Sequence, residues 1–171
     1  MSETNRSAAG FTPFVQAVGL VVAILICFAA AGLGSLVTTP QIPNWYADLA
    51  KPAWTPPGWI FGPVWTVLYI LMGVAAWRIW YRFRWRGARV PLTLFGIQLV
   101  LNALWTPAFF GLQSPLLGLV VILLLWAVLT ATTIAYGRSD RPAGLMLLPY
   151  LAWVSFATIL NFELWRLNSG S

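Results

Sequence analysis

The chain has 171 residues, of which 60% are hydrophobic and only 8% are charged, and its mean hydropathy is +0.79. A domain of this size could not hide so much apolar surface from water, which excludes the soluble, disordered and collagen-like classes. The net charge of +6 comes mainly from arginines in connections, as is usual for membrane proteins, so we predict no nucleic-acid partner.

The missing residue types exclude several kinds of catalytic and metal site. The chain has no histidine and a single cysteine, Cys27, so it cannot form a Ser-His-Asp site, a His-ligated zinc or iron centre, or an intrachain disulfide. Its four acidic residues are too few for a dedicated calcium or magnesium cage. We therefore predict no metal site and no required cofactor.

Five apolar runs are each long enough to cross the roughly 30 Å hydrocarbon core of a bilayer as a helix. They cover residues 14–37, 60–81, 92–111, 116–137 and 143–165. The runs are continuous rather than alternating, which favours helices over a transmembrane barrel, and mostly short connections make neighbouring helices antiparallel. We predict an all-α membrane protein, a single five-transmembrane-helix bundle over residues 14–168, with a polar tail at 1–13 and a C-terminal tail at 169–171.

The first connection, residues 38–59, is the longest and is rich in aromatic side chains. It contains Trp45, Tyr46, Trp54 and Trp59, and it is stiffened by Pro52, Pro56 and Pro57. Two interpretations are open: a belt of aromatic rings at headgroup depth, or a stiff lid over the mouth of the bundle. Asp48 and Lys51 lie three residues apart, so we expect them to pair within one helical turn.

Three later spans place aromatic and amide side chains on one helical face. The stripes are Trp65 and Tyr69 in the second span, Gln98, Asn102, Trp105 and Phe109 in the third, and Tyr150, Trp153, Ala157 and Asn161 in the fifth. The fourth span has no stripe, so we expect it to face lipid or to support the others. The stripes are either packing surfaces with amides as hydrogen-bonding glue or the walls of a ligand pocket, because polar groups inside a membrane are often functional.

The basic residues divide unequally between the two sides of the bundle. With five spans, the N-terminus shares a side with the second connection, a basic hairpin predicted at residues 82–91, and with the fourth. That side holds Arg6, Arg78, Arg82, Arg84, Arg86, Arg89, Arg138 and Arg141, and the other side holds Lys51 and Arg166. The positive-inside rule predicts a cytoplasmic N-terminus, in a bacterial plasma membrane because outer-membrane spans are usually barrels.

An aromatic pocket with few hydrogen-bonding groups suits a large, flat, apolar ligand. Ala157 is small and leaves room on its face of the fifth span. No series of carboxylates crosses the bilayer, which argues against an ion pump or a proton-coupled transporter of the usual kind. Glu163 and Arg166 lie three residues apart near the end of that span, and we expect an ordinary surface ion pair.

Several separated motifs, taken in order, resemble those of the TspO/MBR family, the tryptophan-rich sensory and translocator proteins. They are Trp45-Tyr46, Lys51-Pro52-Ala53-Trp54-Thr55-Pro56-Pro57-Gly58, Pro63-Val64-Trp65 with Tyr69, Gln98 to Asn102, Ala103-Leu104-Trp105-Thr106-Pro107 with Phe109-Phe110, Pro149-Tyr150 with Trp153, and Leu160-Asn161. The resemblance covers residues 14–168, nearly the whole chain.

The resemblance implies a five-helix bundle that binds porphyrins, such as protoporphyrin IX and haem, and benzodiazepine-type ligands. Matching motifs place Trp45, Tyr46, Trp65, Asn102, Trp105, Trp153, Ala157 and Asn161 in the pocket, and the stripes add Tyr69, Gln98 and Tyr150. Because histidine is absent, haem would be held mainly by stacking, and iron-free porphyrin should bind about as well. Animal members also bind cholesterol, but Phe162 stands where their sterol motif has a tyrosine, which argues against sterol binding here.

The resemblance also implies a homodimer and leaves three functions open. Within the sequence, the dimer is supported only by small residues on the first span, Gly19 with Ala23 and Ala30 with Gly34. The leading function is a receptor or sensor that regulates tetrapyrrole metabolism or a stress response. The alternatives are a light- and oxygen-dependent porphyrin-degrading enzyme, whose photochemical tryptophans match Trp65 and Trp153, and a transporter of porphyrin or similar ligands. Some relatives occupy outer membranes, so that location is an alternative too.

Overall fold

The structure is a computed structural model that describes residues 12–169; residues 1–11 and 170–171, including Arg6 and most of both predicted tails, lie outside it. The described helices are α1 (Pro13–Gln41), α2 (Trp45–Asp48), α3 (Phe61–Gly87), α4 (Arg89–Thr106), α5 (Pro115–Ser139) and α6 (Arg141–Asn168). A 3₁₀ turn, Gly58–Ile60, leads into α3, and a π-helical turn, Pro107–Gly111, continues α4.

Five of these elements are long and apolar enough to cross a membrane, namely α1, α3 with its leading turn, α4 with its π-helical turn, α5 and α6. The prediction of an all-α bundle of five membrane-spanning helices is therefore confirmed, and the chain is a multi-pass membrane protein. Most of these helices extend past the apolar runs that predicted them, because the helical backbone continues through the flanking polar residues. The N-termini of two helices are capped by hydroxyls: Thr12 Oγ1 accepts from the Val15 N–H at 3.3 Å, and Ser114 Oγ from the Leu117 N–H at 3.2 Å.

The predicted basic hairpin at residues 82–91 does contain the turn between the second and third spans, but most of its residues are helical, because helical backbone resumes after a kink at Arg84, runs to Gly87 and starts again at Arg89. Arginine is a good helix former, so charge alone does not end the helix. The chain turns instead at Arg84, which has φ 55° and ψ −178°, and at the buried Ala88. A residue with a side chain rarely adopts the backbone conformation of Arg84, so the corner is held by its surroundings.

Small residues allow close approaches between the long helices. A Cβ on Gly144 of α6 would lie 2.6 Å from the Gly137 Cα of α5, and a Cβ on Gly73 of α3 would lie 2.8 Å from the Ile24 Cα of α1. Gly19 and Gly34 likewise face side chains of the same chain, Trp80 and Thr106. The two glycines on the first span therefore pack within the bundle, and the homodimer stays a prediction without their support.

A buried carboxylate joins helix α3 to the turn between α5 and α6. The side chain of Asp140 is fully buried and accepts from Arg78 Nε at 2.8 Å and from Arg82 Nη1 at 2.6 Å. The hydrogen bond from Arg78 is the main reason why the pKa of Asp140 lies below its ordinary value, and it outweighs the opposing effect of burial. No local pattern in the sequence predicts this pairing, since the two arginines lie about 60 positions before Asp140.

We predict that Asp140→Asn destabilises the protein by about 1–3 kcal/mol, less than for a fully buried pair because the Arg82 side chain is 52% exposed. Because the pKa of Asp140 is lowered by folding, its stabilising contribution is present above pH ~4 and is lost as the pH falls through the folded value. Unfolding of the detergent-solubilised protein, followed between about pH 2 and 6, measures both effects.

The matched control is Glu163→Gln, which breaks the exposed Glu163–Arg166 pair at the opposite end of the bundle. This control should leave both the stability and its acid dependence unchanged. Equal effects of the two substitutions, or an Asp140→Asn protein that keeps the acid-induced loss of stability, would contradict the assignment.

Candidate functional site

The predicted ligand-binding residues form two aromatic groups. The first contains Trp65, Tyr69, Asn102 and Tyr150, and the second contains Trp45, Tyr46, Trp105 and Asn161. Trp153 lies apart from both and contacts Phe61 and Phe156. Ala157 packs against the main core beside the first group. The stripes predicted from sequence thus do converge, although they do not line one common cavity.

Hydrogen bonds across three helices organise the first group. The Tyr69 hydroxyl of α3 donates to Asn102 Oδ1 of α4 at 2.8 Å, and Asn102 Nδ2 donates to the Tyr150 hydroxyl of α6 at 2.9 Å. The Trp65 ring stacks on Tyr69 with centroids 5.2 Å apart and meets Tyr150 edge-on at 6.0 Å. We call Tyr69, Asn102 and Tyr150 the tyrosine–amide bridge; it satisfies three buried polar groups and fixes the relative register of the helices.

An apolar groove of about 560 Å³ lies between α3 and α6 beside this bridge. It is lined by Pro63, Val64, Val67, Leu68, Pro149, Ala152, Trp153 and Phe156. We call it the α3–α6 groove. Of the predicted site residues, Trp153 alone contributes to its wall. The groove's volume falls within the range of small-molecule sites, and its lining offers apolar contact and ring stacking, with the Trp153 indole N–H as the one side-chain group able to donate a hydrogen bond.

The first loop, residues 42–60, contacts the groove through a residue other than those predicted. The Trp54 ring meets Phe156 on the groove wall edge-on, with centroids 5.8 Å apart. Phe61, at the start of α3, meets Trp153 in the same way at 5.6 Å. Trp54 therefore packs against one residue of the groove wall without lining the groove itself, and both interpretations of the loop accommodate this contact. Trp54 was quoted among the family motifs but not selected for the pocket, because its contact with Phe156 spans about 100 positions of sequence.

The second group is a packed aromatic cluster. Trp45 and Tyr46 of α2 lie against Phe109 and Phe110 of the π-helical turn, with centroid distances of 5.4–6.3 Å. Trp105 stacks on Phe109 at 5.3 Å. Its indole N–H donates to Asn161 Oδ1 at 3.0 Å, and Asn161 Nδ2 donates to the Pro115 carbonyl at 2.8 Å. These side chains fill one another's space, so they anchor the loop rather than line the α3–α6 groove.

A second cavity, of about 370 Å³, lies beneath this end of the loop. It is lined by Trp45, Asp48, Leu49, Gln113, Ser114, Pro115, Leu116, Trp165 and Asn168. This cavity is smaller than the α3–α6 groove, and polar side chains and a carboxylate border it. It is therefore less suited to a large apolar ligand than the groove is.

A side-chain amide fastens the loop to the last turn of α6. The Ala50 N–H donates to Asn168 Oδ1, and Asn168 Nδ2 donates to the Ala50 carbonyl, each at 3.0 Å. The expected Asp48–Lys51 pair is wrong for the described chain. Lys51 Nζ donates instead to the carbonyl oxygens of Ala47 and Leu49 and lies 4.8 Å from the centre of the Tyr46 ring. The expected Glu163–Arg166 pair is confirmed, with a shortest N···O distance of 2.6 Å.

Gln98 is a predicted site residue that the structure leaves outside both groups. Its side chain is fully buried one turn before Asn102, and within residues 12–169 neither its amide nitrogen nor its oxygen has a hydrogen-bond partner. Within residues 12–169 the buried Tyr136 hydroxyl also has no hydrogen-bond partner. The stripe pattern could not indicate Tyr136, because it stacks on Phe95 of another helix and has no aromatic neighbour at helical spacing on its own helix.

The groove and its surroundings hold none of the groups that catalyse ordinary acid–base or nucleophilic reactions. Over the described residues, no cluster of three or more His, Cys, Asp or Glu could hold a metal ion. What the arrangement offers is a rigid apolar wall with one broad indole ring, backed by hydrogen-bonded tyrosines.

Comparison with known proteins supports the reading from the motifs. Residues 23–166 match the model of the TspO/MBR family. The chain is 45% identical to the tryptophan-rich protein TspO of Chlorobaculum tepidum over 90% of this chain and 98% of the relative. It is 41% identical to the tryptophan-rich sensory protein of Cereibacter sphaeroides, covering 83% and 86%, and 41% identical to the translocator protein of Homo sapiens, covering 92% and 93%.

We predict that Gln98→Met raises the free energy of unfolding by about 1–3 kcal/mol, because it removes a buried amide without partners while nearly keeping its shape. Asn102→Leu is the control and should lower the free energy of unfolding, because it leaves the buried hydroxyls of Tyr69 and Tyr150 without their hydrogen-bond partner. Unfolding of both variants in the same detergent provides the measurement. Destabilisation by Gln98→Met comparable with that by Asn102→Leu would show that the Gln98 amide is in fact bonded.

We predict that Asn168→Ala frees the first loop at Ala50. Losing two hydrogen bonds should speed hydrogen exchange of the Ala50 amide by at least about fivefold. The matched control is Asn44→Ala, which removes a bond within the same region, to the Pro40 carbonyl, without touching α6. Equal exchange in the two variants would mean that the amide of Asn168 does not hold the loop.

Proposed function

Because the chain belongs to the TspO/MBR family, we propose that it is an integral membrane receptor that binds porphyrin-type ligands in the α3–α6 groove and regulates tetrapyrrole metabolism or a stress response. Relatives named as sensory and translocator proteins are consistent with a role in recognition. The porphyrin is proposed as ligand, not as a resident cofactor. We further propose that the protein lies in a bacterial plasma membrane with its N-terminus in the cytoplasm, and that it forms a homodimer.

The observation that carries the proposal is the position of Trp153. Its ring forms part of an apolar groove of about 560 Å³ and is held edge-on by Phe61. A flat macrocycle gains both burial and stacking against such a ring, and an aromatic pair contributes about 0.5–1.5 kcal/mol beyond the area buried. The first loop touches the groove wall where Trp54 meets Phe156, so the loop lies close enough to the groove to shield a bound ligand.

The tyrosine–amide bridge ties together the two helices that form this groove, although none of its residues lines the groove. Its hydrogen bonds join α3, α4 and α6, and two of these helices form the groove walls. A binding surface whose shape is fixed before the ligand arrives loses less entropy on binding. We infer that Asn102 and the two tyrosines act by positioning the walls, while Trp153 touches the ligand.

The absence of histidine determines how haem would bind. With no imidazole to ligate iron, recognition would rest on the ring and its substituents. Iron-free protoporphyrin IX should therefore bind about as tightly as haem. Phe162, where the animal sterol motif has tyrosine, leaves sterol outside the proposed ligands.

A light-driven porphyrin-degrading activity is the second candidate, because an oxidisable indole, Trp153, lies in the groove wall. Trp65, the other photochemical candidate, contacts Tyr69 and Tyr150 at the bridge. Electron exchange with an excited porphyrin would then involve Trp153 first. Transport is the third alternative and would be tested by ligand flux into sealed vesicles.

We predict that Trp153→Ala weakens protoporphyrin IX binding by about tenfold, because stacking and part of the groove wall are lost. Titration of the purified protein in the dark, followed by porphyrin fluorescence, measures the affinity. Trp85→Ala is the matched control, since this indole is 70% exposed at the opposite end of the bundle. Haem titrated in parallel should give a similar affinity.

If Trp153→Ala and the unchanged protein bind protoporphyrin IX with equal affinity, the ligand does not bind in this groove. If the protein shows no saturable binding, the porphyrin proposal is wrong. Illumination of the same samples separates receptor from enzyme. Light-dependent loss of porphyrin absorbance that disappears in Trp153→Phe, with binding kept, would favour the enzyme. Binding without such loss would leave the receptor.

A further inference from the structure

Arginines concentrate at the end of the bundle where α3 meets α4 and α5 meets α6. We call this the basic end; its described members are Arg78, Arg82, Arg84, Arg86, Arg89, Arg138 and Arg141. Within the described chain, the one acidic residue at this end is Asp140, whose buried carboxylate already accepts from two arginines. Over residues 12–169 the basic end therefore carries a large excess of positive charge.

The opposite end uses its cations differently. Lys51 donates to two loop carbonyls, and Arg166 pairs with Glu163. Both cations at that end are thus engaged in holding local structure. The two ends of the bundle therefore differ in their number of cations and in the carboxylates and carbonyls that those cations contact.

An aromatic belt places the basic end at headgroup depth. Trp77 stacks on Tyr81 with centroids 5.5 Å apart, and Trp80 meets Trp85 edge-on at 6.2 Å. Trp85 itself is 70% exposed. Indole and phenol rings prefer the membrane–water interface, so the arginines that follow within one or two turns lie level with lipid phosphates.

The corner between α3 and α4 presents charge and apolar surface together. Arg84, Arg86 and Arg89 are exposed there, and Trp85 and Val90 are exposed beside them. The unusual backbone of Arg84 and the buried Ala88 hold this corner in a tight turn. Apolar side chains that enter the interface, with guanidinium groups beside them, are typical of surfaces that bind lipid headgroups.

We propose that the basic end is a binding surface for the phosphate groups of anionic phospholipids. Every cation on it is an arginine. The planar guanidinium group of arginine can donate two parallel hydrogen bonds to one phosphate, whereas the ammonium group of lysine is a compact charge without this geometry. The surface lies at the other end of the bundle from the first loop. It therefore leaves the proposed ligand groove free.

The test is a titration of the full chain, in uncharged detergent, with phosphatidylglycerol and separately with phosphatidylcholine, counting bound lipids by native mass spectrometry. Phosphatidylglycerol should bind several-fold more tightly, and the preference should shrink as salt is added. The double substitution Arg86→Gln with Arg89→Gln should reduce phosphatidylglycerol affinity by roughly fivefold for each arginine removed. It should leave phosphatidylcholine binding unchanged.

The matched control removes the same number of charges from the other end, as Lys51→Gln with Arg166→Gln. Equal losses in the two double variants would overturn the proposal in favour of a general effect of net charge. Equal affinity for phosphatidylglycerol and phosphatidylcholine would contradict the proposal, and the arginines would then serve only to orient the protein in the membrane. Competition by inorganic phosphate as effective as that by the lipid would overturn the commitment to a membrane ligand.

Discussion

Inside the hydrocarbon of a bilayer a polar side chain must find its partner within the protein, and this constraint shapes the bundle more than any other. Asn102 answers it by bonding tyrosines on two other helices, and Asn161 does so by joining the Trp105 indole to the Pro115 carbonyl. Each of these hydrogen bonds can form only at one axial register of the helices that it joins. Apolar packing alone would permit helices to slide, whereas these amides fix where each ring lies.

Two sets of aromatic side chains show how similar residues serve different purposes. Around Phe109 and Phe110, rings fill the space between α2 and the π-helical turn, and the result is a packed cluster that seats the loop. Around Trp153, prolines on both facing helices accompany small and apolar side chains, and the result is a groove. A tryptophan count would not distinguish the two, because the difference lies in what stands opposite each ring.

The sequence was sufficient for the architecture and for the members of the tyrosine–amide bridge, but of the residues that line the α3–α6 groove it indicated only Trp153. Helix number followed from the length of each apolar run, and Trp65, Tyr69, Asn102 and Tyr150 were found because helical spacing puts them on facing stripes. Contacts between distant positions escaped it. The Asp140 carboxylate, the Trp54 contact and the Ala50–Asn168 bonds each depend on how helices meet, which no local pattern records. Lys51 was assigned to Asp48 by spacing, but nearby backbone carbonyls proved to be its acceptors.

The bond pair between Ala50 and Asn168 also sets an order of events during synthesis. These residues are 118 positions apart, so the loop leaves the ribosome long before the amide that fastens it exists. A nascent chain can insert its first four long helices while the groove still lacks the wall that α6 supplies and the loop lacks its anchor. Ligand present during translation would find a finished site only on nearly full-length chains. Retention of ligand would then distinguish completed molecules from stalled ones in the same membrane.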